Sequence, residues 1–166
     1  MKKVISLFIA IIVILSAFCM VASAEQTGDY YLMMAQVNNN LLFVNGISMD
    51  FDSQNPEVKP IMNENGEYLV PLRMVVGTAG GWIDWEEETD KVVMLYNGVS
   101  ISFVMGSTEV MVGDEIVEIS VAPYTIHDRT VVPLDFFINC MKGSVETDET
   151  TNTVMLAFET KVYAAG

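Results

Sequence analysis

Apolar and polar positions change period repeatedly along this chain. From Leu42 to Phe51 they alternate around Asn45-Gly46, and from Val110 to Ile119 around Gly113-Asp114. Alternation flanking a Gly-containing turn predicts a β-hairpin in each case. Leu72, Val75, Val76 and Ala79 then fall at i, i+3, i+4 and i+7, and Leu134, Phe137, Ile138 and Met141 repeat that spacing. A stripe with this period is one face of a helix, so these residues are predicted to be buried. Pro71 and Pro133 stand where each helix opens, at a first turn that has no use for an N–H. Gly80-Gly81 suits a left-handed cap after the first helix. After the second, Lys142 precedes Gly143, which predicts a cap shifted by one residue. Each helix is followed by another strand pair: Trp82 to Glu86 with Val92 to Tyr96, and Ser144 to Asp148 with Thr153 to Phe158. Val99, Ile101 and Phe103 alternate with polar or small residues and add a linking strand.

These elements recur at one offset. Val70-Pro71-Leu72 returns as Val132-Pro133-Leu134, 62 residues later. Under the same offset Gly81 meets Gly143, Glu87 meets Glu149, Thr89 meets Thr151 and Val92 meets Val154. A single offset holding without a gap from Leu69 to Tyr96 predicts two copies of one unit. They divide the chain into repeats over 41–97 and 98–160, each reading strands, helix, strands. Short connections favour antiparallel pairing and an α+β fold. Residues 25–40 read as a leader ahead of the first copy.

The N-terminus predicts export. Met1-Lys2-Lys3 is cationic, no charged residue follows from Val4 to Ala22, and Ala22-Ser23-Ala24 offers small residues where signal peptidase cuts. This is a signal-peptide pattern over 1–24, with cleavage before Glu25. An uncleaved anchor is the alternative, because the apolar run approaches the roughly 20 residues that span a bilayer. A lipoprotein site at Cys19 is rejected, since bulky Phe18 stands where that signal needs a small residue.

Charge and cysteine content narrow the function. The formal net charge is −14, and −16 once Lys2 and Lys3 have left with the leading segment. Such a surface repels nucleic acid and anionic wall polymers. Of the 2 Cys, Cys19 lies in the signal, which leaves Cys140 without an intramolecular partner. Stability therefore has to come from a packed core.

Several motifs together resemble the copper amine oxidase N-terminal domain-like family, also called the stalk domain. They are Phe43-Val44-Asn45-Gly46, Tyr68-Leu69-Val70-Pro71-Leu72-Arg73, Gly80-Gly81-Trp82-Ile83-Asp84-Trp85 and Lys91-Val92-Val93-Met94-Leu95. Thr130 to Leu134 and Thr153 to Leu156 carry the second copy. The resemblance covers about Leu41 to Phe158. It implies antiparallel strands curled around a short helix in each copy, a buried core tryptophan at Trp85, and a place on the surface of Gram-positive-type bacteria. It implies no catalytic residues. The second copy departs from the motif, with Asp135 in place of the Arg and Thr147 in place of the Trp.

Candidate chemistry is sparse. Copper amine oxidation needs three histidines on the metal and a tyrosine-derived quinone; this chain has 1 His and no Asn-Tyr dipeptide, so no copper site and no cofactor are expected. His127 reads as a turn residue, and Cys140 lies within a helix. The 12 Met, including Met33-Met34, read as core filling rather than soft-metal ligands. Glu86 to Asp90 reads as a solvated acidic turn, since it lacks the spacing of a calcium loop. Trp82 is the candidate contact residue, with Tyr68 beside it, because an exposed indole suits sugar stacking or an interface. The alternative is that Trp82 covers the seam between repeats. The expectation is a noncatalytic extracellular module of the cell envelope, contacting a wall glycan or another envelope protein and no nucleic acid. Its rivals are an envelope hydrolase built on an Asp/Glu pair, and a secreted binder of peptides or small molecules.

Overall fold

The computed structural model describes residues 30–159. The expected signal segment and residues 25–29 lie outside the described residues. In chain order the strands are β1 (Tyr30–Gln36), β2 (Leu41–Val44), β3 (Ile47–Asp50), β4 (Ile61–Met62) and β5 (Tyr68–Pro71). Helix α1 (Leu72–Thr78) leads into β6 (Trp82–Glu86), β7 (Lys91–Tyr96), β8 (Val99–Val104), β9 (Glu109–Val112) and β10 (Glu115–Glu118). Then come β11 (Tyr124–Ile126), β12 (Arg129–Pro133), helix α2 (Leu134–Asn139), β13 (Ser144–Asp148) and β14 (Thr153–Glu159). The fold is α+β and rich in sheet. The hairpins predicted around Asn45-Gly46 and Gly113-Asp114, those after each helix, and the linking strand β8 all form.

The strands make three sheets: β13-β14-β1-β2-β3, β10-β9-β8-β7-β6 and β11-β12-β5-β4. Every pairing among them is antiparallel. Within the third sheet, β5 and β12 pair directly, with Val70 opposite Val132. Their final residues, Pro71 and Pro133, serve as the N-caps of α1 and α2 rather than as first-turn residues. At a strand end the missing N–H costs no ladder bond, so one proline can close the strand and fix the entry to the helix.

The leader reading fails at residues 30–36. Strand β1 lies at the centre of the first sheet, hydrogen-bonded along its length to β14 and, over its second half, to β2. Met33 and Ala35 point into the core, while Leu32, Met34 and Gln36 face outward. The continuous apolar run of Tyr30 to Ala35 is what a strand with both neighbours in place reads like; alternation is weak because the outer face is also partly covered.

Edge-to-face aromatic contacts through α2 join the first two sheets. Ring centroids lie 5.6 Å apart for Phe103 and Phe136, 5.8 Å for Phe136 and Phe137, and 6.1 Å for both Phe137–Phe158 and Tyr96–Phe158. Such pairs contribute about 0.5–1.5 kcal/mol each beyond area burial. The predicted stripe of α1 is buried at Leu72, Val75, Val76 and Ala79. That of α2 is corrected: Phe137 and Met141 are buried, but their partners are Phe136 and Cys140, while Ile138 is 44 % exposed and Leu134 half-buried. Two apolar stripes overlap on this helix, and the one carrying two aromatic rings buries the larger area.

The caps also differ from expectation. Gly80 adopts φ +81°, and Lys142 adopts φ +58° at the matching place, so the second cap is not shifted. Gly81 N–H donates to Val76 O at 2.8 Å, and Gly143 N–H to Phe137 O at 2.9 Å. The first is the long return bond of a Schellman ending, and the second reaches one residue further back along its helix.

Candidate binding face and clefts

Strand alternation sorts the second sheet into two faces. Val92, Met94, Tyr96, Ile101, Phe103 and Val110 point inward and are buried. On the other face Trp82 stands opposite Leu95, Val93 opposite Ser102, and Met111 opposite both Ser102 and Ile116. Trp82, Leu95, Val104, Met111 and Ile116 are each 41–64 % exposed. One exposed apolar side chain needs no explanation; five on one face of a sheet, one from each strand, do.

This face has an acidic end. Glu86 pairs with Lys91, and Glu109 stands directly opposite Glu118. Two carboxylates in one cross-strand pair repel each other. The turn beyond Glu86 adds Glu87, Glu88 and Asp90, all exposed. Its geometry is that of an ordered turn, with Thr89 Oγ1 donating to Glu86 Oε2 at 3.1 Å and Asp90 at φ +51°.

Trp82 is 57 % exposed. Tyr68 lies on β5, in a different sheet, and its hydroxyl is buried with no hydrogen-bond partner. Tyr68 therefore offers no polar edge beside the indole. Trp85 was expected in the core and is corrected: it shares the inward face with Val92 but is 45 % exposed, because β6 is an edge strand and nothing beyond it covers the ring.

Trp85 instead lines a cleft of about 230 Å³ together with Arg73, Asp84, Asp128 and Arg129. A second cleft, about 300 Å³, shares the same two arginines and is walled by Phe51, Val58, Pro71 and Met74. Arg129 Nε donates to Asp52 Oδ2 at 2.8 Å. The backbone N–H of Gln54, and then Arg129, hold the Asp52 carboxyl below the usual carboxylate range. Arg73 reaches only the carbonyl of Ile83, at 3.5 Å. Sequence reasoning missed these clefts, since Arg73 and Arg129 lie 56 positions apart and meet only through the β5–β12 pairing.

His127 and Asp128 form the two-residue turn between β11 and β12, at φ +49° and +60°. The imidazole thus sits at an exposed turn. Cys140 is buried; burial, and then the Asp135 carboxylate, push its thiol from 9.0 up to about 12. A thiol held protonated is a poor nucleophile. Met33, Met94 and Met141 are core residues. Among the described residues no three His, Cys, Asp or Glu side chains converge as a metal-binding group, and no helix is long and apolar enough to cross a membrane.

No curated protein and no solved structure matches this chain. The family model for the copper amine oxidase N-terminal domain matches residues 43–156, which is most of the chain. That domain is the noncatalytic N-terminal part of those oxidases. On this match, which spans both helices and the strands of all three sheets from Phe43 to Leu156, the chain belongs to the copper amine oxidase N-terminal domain family.

Proposed function

We propose that this chain is an exported, noncatalytic binding module that works at the cell envelope by presenting a surface. The observation that carries the reading is the outward face of the second sheet, where Trp82, Leu95, Met111 and Ile116 lie uncovered in an otherwise acidic chain. A noncatalytic domain family supports it, and export is supported by the Lys2-Lys3, apolar-run and Ala22-Ser23-Ala24 pattern. The two-repeat organisation, with boundaries at 41–97 and 98–160, belongs to the same proposal. Its support is the common order of Pro-ended strand, helix and hairpin around the β5–β12 pair. Partners of this module are a wall glycan or another envelope protein.

The test is Trp82→Ala. Envelope retention of the tagged chain should fall while the melting temperature stays within about 2 °C, as expected for an exposed site. Unchanged retention would remove Trp82 from the binding face; an unfolded variant would make it a core residue. Intact-mass measurement should show the exported protein starting at Glu25, and a membrane-held species retaining Met1 would make the segment an anchor.

A second reading has one observation in its favour. Asp84 and Asp128 line a single cleft beside Trp85, and a carboxylate pair in a cleft is what an envelope hydrolase would need. Release of soluble fragments from purified wall glycan, abolished in Asp84→Asn and in Asp128→Asn, would establish it.

A further inference from the structure

Resting on the reading of the chain as a surface-presenting module, we infer that the outward face of the second sheet docks a basic, amphipathic polypeptide segment of another protein. Three features of that face select this partner.

The first is its apolar part. Trp82 with Leu95, and Met111 with Ile116, are cross-strand neighbours whose side chains stand out from a sheet already filled on its other side. A polypeptide laying aliphatic side chains across them removes apolar area from water at about 25 cal/mol per Å².

The second is the distribution of charge. Glu86, Glu109 and Glu118 share this face with a single cation, Lys91. Among the described residues the ion pairs are Lys59–Glu57 and Arg129–Asp52, so none of these three carboxylates is neutralised by one. Glu109 and Glu118 repel each other across the strand pair. Lysine or arginine side chains placed over that end relieve the repulsion while the aliphatic part covers Met111 and Ile116. The fit therefore has a direction: cationic side chains toward Glu109 and Glu118, apolar ones toward Trp82 and Leu95.

The third is what the charge disfavours. A second copy set face to face would bring the same carboxylates together in a chain of net charge −14. An anionic glycan is disfavoured for the same reason. A neutral sugar would use Trp82 but leave the Glu109–Glu118 repulsion in place.

The test titrates the full chain with a short synthetic Lys/Leu amphipathic helix, beside a Lys/Ser peptide of equal charge and a Glu/Leu peptide of equal apolarity. The Lys/Leu peptide should bind at least about tenfold tighter than either of the others. Met111→Ser with Ile116→Ser should weaken it by about tenfold, and Glu109→Gln with Glu118→Gln should weaken it and flatten its salt dependence. Leu32→Ser with Ile47→Ser, on the first sheet, should change nothing and controls for general loss of apolar surface. All these residues are exposed, and a matching thermal transition confirms that each variant folds. Equal binding of the Lys/Ser peptide would overturn the assignment by showing generic charge attraction. So would retained binding in Met111→Ser/Ile116→Ser, or concentration-dependent dimerisation abolished by Ile116→Ser, which would make a second copy the occupant. Glycan hydrolysis abolished by Asp84→Asn would sink the noncatalytic reading instead, and peptide binding measured on the same protein tells the two failures apart.

Discussion

Gly143 is a position where one added methyl group meets strong resistance. A Cβ there would lie 2.6 Å from Cε1 of Phe158 and 3.2 Å from the carbonyl oxygen of Ala157. The ring is held edge-on by Phe137 and Tyr96 and cannot move without breaking those contacts. Gly143→Ala should therefore cost about 1–3 kcal/mol, the usual range for overpacking a filled core, read as a lower urea midpoint at unchanged slope. Its neighbour predicts the opposite sign. Lys142 holds φ +58°, a region where a side chain is strained and glycine is not. Lys142→Gly should raise stability by about 0.5–1 kcal/mol, even though it gives up the 2.7 Å bond from Lys142 Nζ to Asn139 O. A midpoint that falls instead would mean that bond outweighs the backbone strain. The sequence placed glycines correctly at both helix ends, but it could not show that one left-handed position had been filled by lysine. Gly143 is retained for closeness to Phe158, and closeness across 15 residues is invisible to local pattern.

At the scale of elements, legibility followed periodicity. Hairpins around Asn45-Gly46 and Gly113-Asp114 were readable because turn chemistry and alternation agree there. Helix α1 was readable because a single apolar stripe exists. Helix α2 carries two stripes, and the tertiary contact of Phe136 with Phe103 decides between them; Ile138 was lost to that choice. Trp85 was misplaced because alternation gives the face of a strand but not whether the strand is an edge. The third sheet joins β5 to β12 across some 60 residues, a separation no local signal spans. Strand β1 was the largest omission, and it gives a sharp test. Met33→Ala removes a buried side chain opposite Leu156 and Val44. It should cost about 2–4 kcal/mol. Met34→Ala, one residue on and half-buried on the outer face, should cost less than about 1 kcal/mol. Equal small effects in thermal or urea unfolding would mean that residues 30–36 are a leader after all and not a core strand.

For the molecule as a whole, the acidic surface and the buried Cys140 thiol set different limits on stability. On the acid side, the carboxyls of Asp52 and Asp148 are held below their ordinary values, the first chiefly by the Gln54 backbone N–H and the second by the Thr151 hydroxyl. Their contribution is present above the ordinary carboxylate range and fades as pH falls through the lowered values. On the alkaline side the sign reverses. Burial pushes the Cys140 thiol from its ordinary value of 9.0 up to about 12 in the folded chain, while an unfolded chain exposes it to water. The folded state therefore keeps a proton that the unfolded state has released. Stability from this group is complete below pH 9 and is lost as pH rises toward 12, by at most about 1.4 kcal/mol per pH unit. Tyr96 and Tyr124, also raised by burial, add to the same decline and must be separated from it. Cys140→Ala does this. The variant starts less stable at pH 8, because a buried side chain has been shortened. Its unfolding free energy should then fall less steeply between pH 9 and 11 than that of the parent, so that the two curves converge. Parallel curves would show that the thiol ionises without opposing the fold.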